Sequence, residues 1–494
     1  MNDKTFLQAL ILGLGQVSSK ILSLIFLFKL SNDLGKELMP LYAYAYIPYS
    51  IFADLSCLGF VPGISRLVAK MNVEDKKAQI NYLLKVGSLE CLIIGLVFFT
   101  LMYLFHRQII SISLFNNLDN ERFEFIRLNL FLASFSLIIL PLINFYRGFL
   151  QGNMLMYPTS ISLIIENLFK IVAYLILRRY FTTYSLINIA FLIYFGSYMI
   201  SFIILFVSAL PFLKGTKEKI EVIRIFFKYC IPFGIATMFF TIYQFIDSTT
   251  LPLLMSKDSN YTVYMFETIR LIFLPIVISQ SLGGILNPKI SYLIKNNDYE
   301  KAQNIALKST NLIIYILIGL MFLMQIFAKD IYYLFYQQEN GEIILYNISY
   351  LILFFGLYKT LIGICLGVSR SSYLIIATII SAVFKYILNF ILIKYYDYLG
   401  AIYANIISIS ICIFCAYYIL NKDKIKIFIS NLKTLIIASI SIIFSVFIYT
   451  IIRVSFSLRN YPAYFNLAIY MFLILGLFYI FIYIFKHLKP LRIK

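Results

Sequence analysis

The residues with chemical capacity in this chain are ionisable side chains set inside long apolar runs. They are Lys20, Asp54, Glu90, Glu166, Lys170, Asp247, Glu267, Arg270, Lys308, Lys359 and Lys385, with Arg66, Arg147, Lys289 and Arg370 nearer the ends of such runs. A charge placed among apolar residues is costly, so each must face a cavity, pair with an opposite charge, or reach outward to water along its own stem. Glu166 and Lys170 are four positions apart and Glu267 and Arg270 three, spacings that let each pair meet on one helix face. Lys20, Arg66, Lys170, Arg270 and Lys385 are the candidate substrate-binding cations. Gathered around one cavity they suit an anion such as a phosphate or pyrophosphate head group. Asp54, Asp247 and Glu267 are the candidate ion-coupling carboxylates.

Other chemistries lack their residues. The six cysteines are scattered, and the one CxxC, Cys412 and Cys415, lies in an apolar run without a histidine. They read as small buried hydrophobes. His106 and His487 stand beside basic residues with no catalytic or metal-binding partner. No phosphate-binding Walker loop, dinucleotide glycine fingerprint or HExxH occurs. The expectation is a protein that is not an enzyme, needs no cofactor, and draws energy from a Na+ or H+ gradient, the membrane potential or the substrate gradient.

The elements that must hold these charges are membrane helices. Of 494 residues, 61% are hydrophobic and 13% charged, against about 25% charged in soluble domains. Apolar runs of about 20 residues, enough to cross a bilayer as helix, recur throughout. Fourteen can be placed, at about 6–30, 42–68, 83–105, 125–150, 157–177, 186–213, 225–254, 262–294, 306–327, 344–367, 373–393, 401–420, 434–452 and 463–485. The fold class is therefore all-α and polytopic. The eighth run holds Pro275, Gly283, Gly284 and Pro288 and is expected to be a bent helix. The net charge of +19 fits loops facing anionic lipid better than nucleic acid. Tyrosine, 40 residues against no tryptophan, can fill the interfacial belt. The first run is too long for a cleavable signal and lacks a small-residue cleavage site.

The chain repeats itself. GFLQGNMLMYPTSISLIIENLFKIVAYLI, from Gly148, meets GICLGVSRSSYLIIATIISAVFKYILNFIL, from Gly363, at an offset of 215. Gly148 then matches Gly363, Gly152 matches Gly367, and Phe169-Lys170 match Phe384-Lys385. ISRLVAKMNVEDKKAQ from Ile64 resembles ISYLIKNNDYEKAQ from Ile290. Two homologous halves follow: a lobe at 1–213, a second at 214–421, and two extra helices at 422–494. KGTKEK at 214–219 is the hinge between the halves. With the N-terminus in the cytoplasm, loops on its side carry about 19 Lys and Arg against about 12 opposite. An even helix count puts both termini inside, and six helices per repeat make the halves parallel.

SSKILSLIF near the start, GFVPGISRLVAK, YRGFLQGNMLMYPTSISLIIEN and FLPIVISQSLGGILNPKIS resemble the polysaccharide-transport and lipid II flippase branch of the multidrug/oligosaccharidyl-lipid/polysaccharide (MOP) exporter superfamily. Within it the similarity points to flippases like stage V sporulation protein B. The resemblance implies two six-helix lobes, a lipid-facing groove at helices thirteen and fourteen, and alternating access. It implies a multi-pass protein of the bacterial cytoplasmic membrane. Its substrate would be an undecaprenyl-pyrophosphate-linked glycan of peptidoglycan synthesis, with membrane lipid as its other partner and a monomeric state. Alternatives are another lipid-linked polysaccharide (O-antigen, capsule or teichoic type) or a cation-coupled multidrug exporter. Lys20 is similar to the basic position of the family's Ser-Lys/Arg motif, and Arg270 to the arginine before Leu-Pro. The family's Arg-Asp pair is replaced here by Phe26 and Leu27.

Overall fold

In the computed structural model the described residues are 3–57, 59–113, 120–213, 230–231, 234, 238–255, 258–337, 341–368, 371–455 and 463–487. They are helical throughout, with short turns between. Backbone groups in hydrocarbon find no water, so each must bond within its own helix. The KGTKEK hinge, the first part of the seventh apolar run, Arg370 and the basic C-terminal tail lie outside the described residues.

In chain order, α1 covers Asp3–Ser56, α2 Phe60–Val73, α3 Lys77–Ser113, α4 Asn120–Gly152, α5 Tyr157–Leu177 and α6 Thr183–Ala209. The second half follows with α7 Phe239–Leu254, α8 Asp258–Thr262, a π-helical turn Val263–Thr268, and α9 Ile269–Lys295. Next come α10 Tyr299–Ile326, α11 Ala328–Tyr336, α12 Glu342–Ile348, α13 Tyr350–Gly367 and α14 Ser371–Tyr396. The chain ends with α15 Tyr398–Lys422, α16 Phe428–Ser455 and α17 Ala463–His487. Twelve spans among the described residues are long and apolar enough to cross a membrane. The partly described α7 and the 25-residue α17 complete the series expected from sequence.

Three boundaries differ from the sequence expectation. The first and second runs join as α1, a 54-residue helix broken at Gly35, whose φ of 65° is left-handed and suits glycine alone at no cost. The second run does not continue through Pro62. It ends at Ser56 and restarts as α2, so that proline stands in the first turn, where its missing N–H is harmless. The eighth run is distorted ahead of its prolines, in the π-helical turn, while Pro275 lies within continuous helix.

The helices form two compact units. One comprises Met1–Phe266 with Ser371–Ala401, and the other Glu267–Arg370 with Ile402–Lys494. This partition records which helices pack together, whereas the repeat records which are alike. In the first unit α4 packs on α1, α2, α3 and α6, and α5 lies between α1 and α6. Phe60, Ile64, Val68, Leu83, Ile143 and Phe149 fill its core. In the second unit α9 packs along α13, and α10 bridges to α16. There Thr310 donates to Asn431 at 3.1 Å, and Asn431 donates to the Tyr417 hydroxyl at 2.8 Å. Outside the spans, Lys76 lies 2.7 Å from Glu74, and that hydrogen bond holds the Glu74 carboxyl below the usual carboxylate range.

The repeated glycines do one job in both halves. A Cβ at Gly148 would come within 2.8 Å of the Phe60 carbonyl oxygen, and one at Gly152 within 2.7 Å of the Ser65 carbonyl oxygen. Gly367 faces the Asn287 carbonyl oxygen at 2.9 Å in the same way, and a Cβ at Gly363 would overlap the backbone of Gly283. Thus α4 presses against α2, and α13 against α9, at backbone distance. Without a hydrophobic drive between helices in lipid, such contacts supply much of the packing energy.

The Gly283-Gly284 pair gives a sharp test. A Cβ on Gly283 would sit 2.9 Å from the Lys359 carbonyl oxygen, whereas one on Gly284 meets nothing within 4 Å. Gly283→Ala is expected to destabilise the purified protein by roughly 1–3 kcal/mol. Gly284→Ala should instead leave it unchanged or stabilise it by up to about 1 kcal/mol. Thermal unfolding in detergent reads both, and equal shifts would refute close α9–α13 packing.

Candidate functional site

The first buried charge cluster is built by α4, α5 and α6. Glu166 and Lys170 share a face of α5, and Lys170 Nζ donates to Glu166 Oε1 at 2.8 Å. The pairing expected from their spacing is present. Arg147, from α4, donates from Nη2 to the other carboxylate oxygen at 2.9 Å and to the Ser201 hydroxyl of α6 at 3.0 Å. One carboxylate therefore serves two cations, and the cluster carries one positive charge in excess. Arg147 Nε is buried and meets no acceptor. The ammonium also stands 4.9 Å from the ring centres of both Tyr194 and Tyr198, where the negative ring faces attract a cation. One turn away on α5, Asn167 donates to Ser19 of α1 at 2.9 Å.

The second cluster joins α7 to α14. Lys385 Nζ donates to Asp247 Oδ1 at 2.6 Å. Lysine and aspartate are 0% and 2% exposed at the side chain, so both charges are sealed from lipid and from water. Asn389, one turn on from Lys385, donates to the same oxygen at 2.9 Å and to the Thr250 hydroxyl at 2.8 Å. Tyr264 donates to Asp247 Oδ2 at 3.5 Å, and the ammonium lies 5.3 Å from the Tyr243 ring centre. Here cation and carboxylate balance one to one.

A third constellation surrounds Glu267, which is buried in the π-helical turn. Tyr332 of α11 donates to its carboxylate, and Tyr336 donates to its backbone oxygen at 3.0 Å. In a π turn the backbone oxygens lose their regular partners, and the phenol supplies one.

Four further candidates are placed as follows. Asp54 is exposed and accepts from Thr241 at 2.5 Å. Lys20 is exposed, while Arg66 and Arg270 are half-buried. Among the described residues no group of His, Cys, Asp and Glu is placed to hold a metal ion.

Sequence reasoning passed over Arg147 as a partner of Glu166, and it passed over Asp33. Tyr174 donates to Asp33 at 2.8 Å, and Arg178 reaches the same carboxylate at 2.8 Å. A signal for this existed. Asp33 and Asp247 lie 214 apart, and their partners Tyr174 and Asn389 lie 215 apart. The repeat thus places an acid on α1 against α5, and again on α7 against α14.

Comparison with known proteins places this geometry. The family described as "Polysaccharide biosynthesis protein" matches residues 8–294, more than half of the chain. The lipid II flippase MurJ of Bacillus subtilis (strain 168) is 23% identical over 438 residues, covering 82% of this chain and 80% of the relative. The membrane protein YabM of the same strain, uncharacterized, is 23% identical over 420 residues, covering 81% and 77%. Among solved structures, a lipid II flippase MurJ in an inward closed conformation superposes with a TM-score of 0.68 at 18% identity, covering 97% of this chain and 99% of its own. An inward-facing multidrug resistance MATE family transporter of the MOP superfamily also superposes at 0.68, with 14% identity and coverage of 83% and 96%. The all-α architecture is thus one that MOP superfamily transporters share.

The Lys385–Asp247 pair yields a prediction. Lys385→Met alone strands a buried carboxylate and is expected to cost about 3–5 kcal/mol, because desolvation goes unrepaid. Adding Asp247→Leu removes the stranded charge and should recover most of that loss. Denaturation midpoints of the two single variants and the double variant check this, and purely additive losses would contradict the pairing.

Proposed function

Because this chain belongs to the polysaccharide biosynthesis protein family, we propose that it is a transporter of the cytoplasmic membrane that moves an undecaprenyl-pyrophosphate-linked glycan precursor of lipid II type. The observation that carries this reading is the Arg147–Glu166–Lys170 cluster, with two cations on one buried carboxylate. An uncompensated cation in a low-dielectric interior costs several kcal/mol by about the same reckoning as any buried ion. A phosphate oxygen brought to it recovers that cost and gains charge-assisted hydrogen bonds. Lys20 and Arg66 in the first unit, and Arg270 in the second, are the further candidate cations of this reading. The prenyl chain stays in lipid, so only the polar head must be carried.

The protein is a carrier and not an enzyme on this reading, in keeping with the flippase and transporter relatives. Both termini lie in the cytoplasm, as the distribution of basic residues implies. Transport proceeds by alternating access, driven by the membrane potential or by a Na+ or H+ gradient. Of the candidate coupling carboxylates Asp54, Asp247 and Glu267, Asp54 alone is exposed, while Asp247 and Glu267 are buried. A multidrug exporter would need such carboxylates open to a coupling cation, and Asp247 already holds the Lys385 ammonium. That favours the lipid-linked substrate.

The test is complementation. Expression of the chain should restore growth to a bacterium depleted of its own lipid II flippase. Arg270→Ala should abolish rescue while the protein accumulates normally in the membrane. Rescue only of a strain lacking a capsule or teichoic-acid flippase would move the substrate to that glycan. Absence of rescue in every such strain, at normal membrane levels, would overturn the reading.

A further inference from the structure

The stretch YAYAYIPY places Tyr42, Tyr46 and Tyr49 four and three residues apart on α1, so their rings share one face. That face meets Tyr194 and Tyr198, themselves four apart on α6. The Tyr46 and Tyr194 ring centres are 5.7 Å apart, and those of Tyr194 and Tyr198 6.2 Å. Tyr42 donates to the Tyr194 hydroxyl at 3.2 Å. The same face touches the second half of the chain, since Phe266 lies edge-on to Tyr42 at 5.4 Å and to Tyr46 at 6.0 Å. Phe266 belongs to the π-helical turn Val263–Thr268, and such turns gather at functional sites. Tyr46 and Tyr198 are only half-buried.

The position of Lys170 gives this aromatic face its chemistry. Its ammonium, part of the cluster with one excess positive charge, lies 4.9 Å from the centres of both the Tyr194 and Tyr198 rings. In a polyprenyl-pyrophosphate glycan the first sugar is bonded directly to the phosphate. A site that holds the phosphate on a cation therefore meets the first sugar within one ring's breadth. A sugar offers an apolar C–H face and a rim of hydroxyls. A tyrosine answers both, with a flat ring for the face and a phenol for the rim.

We infer that the Tyr46–Tyr194–Tyr198 face beside Lys170 is the subsite that reads the sugar attached directly to the pyrophosphate. The inference rests on the flippase reading and deepens it. The cation takes the phosphate of any polyprenyl pyrophosphate, and the tyrosines decide whether a sugar follows.

Binding to the full-length protein in nanodiscs tests this with two probes, undecaprenyl pyrophosphate and the same lipid carrying one N-acetylhexosamine. The wild type should bind the glycosylated lipid about fivefold more tightly, the scale of an aromatic contact. Tyr46→Leu should remove most of that preference while leaving affinity for the bare lipid unchanged, and Tyr198→Leu, whose ring also faces the Lys170 ammonium, should remove it while weakening both lipids. Tyr46→Phe, which keeps the ring, should restore most of it. The chain has no tryptophan, so Tyr198→Trp supplies a single tryptophan on the face, excited selectively at wavelengths beyond the tyrosine absorption band. Its emission should respond to the glycosylated lipid and not to the bare one. Equal wild-type affinity for both probes would overturn the inference and leave the flippase reading intact. An undiminished preference in the leucine variants would overturn it too. A wild type that binds neither probe would remove the flippase reading itself.

Discussion

A lysine ammonium held in a helix bundle that lipid surrounds dictates much of what this molecule does. It cannot be hydrated there, so it must be given an anion, and the helices are arranged to give it one. The repeat lets the same requirement be seen solved twice. Lys170 and Lys385 occupy matching positions. Lys170 takes its carboxylate from the preceding turn of its own helix, Glu166. At the position matching Glu166 the second copy has Ser381, which has no charge to offer, so Lys385 crosses to Asp247 on α7. In the first solution the lysine's own partner lies on its own helix and Arg147 of α4 joins the same carboxylate, whereas in the second the lysine itself ties two helices together. A divergence of one residue turns a local pair into a clamp.

Those charges are positioned by packing that uses almost no side chain. Gly148, Gly152, Gly363 and Gly367 let α4 and α13 approach α2 and α9 until backbone meets backbone. α4 brings Arg147 to within 2.9 Å of Glu166. The glycines and the ion cluster on α4 are thus parts of one arrangement: remove the close approach, and Arg147 retreats from Glu166.

Much of the fold was legible because the bilayer is a severe and simple solvent. It requires long apolar helices, and these appear in the sequence as runs of about 20 residues. Interruptions were less legible. The π turn at Val263–Thr268 contains neither proline nor glycine, so nothing local announces it, while Pro275 and the Gly-Gly pair drew attention downstream. The site divided in the same way. Glu166–Lys170 could be read from a spacing of four, because both residues ride one helix. Asp247–Lys385, 138 residues apart, depends on which helices pack, and composition alone does not say. Arg147 looked like a cation at a helix end, yet its long side chain turns inward to a buried carboxylate. The repeat held the missing information, since the matched spacing of Asp33 with Tyr174 and Asp247 with Asn389 puts an acid opposite the same helix in both halves.

The charge balance of the two lysine clusters then separates their roles. Around Lys385 the count closes at one cation and one carboxylate, with Asn389 and Thr250 using further polar capacity. A balanced, sealed pair has little to offer an anionic ligand, since binding one would first require breaking the pair. Around Lys170 the count stays open, with Arg147 adding a second cation and a buried N–H that has no acceptor. An open count inside hydrocarbon is stable only if something negative can complete it, whether a passing head group or a counterion. The tyrosines beside it soften the cost in the interval, because the partially negative ring faces attract the ammonium and do not leave. On the proposed flippase reading a carrier needs this combination, for a site filled permanently by its own carboxylates could not release a substrate, and one with no partial compensation could not survive its absence.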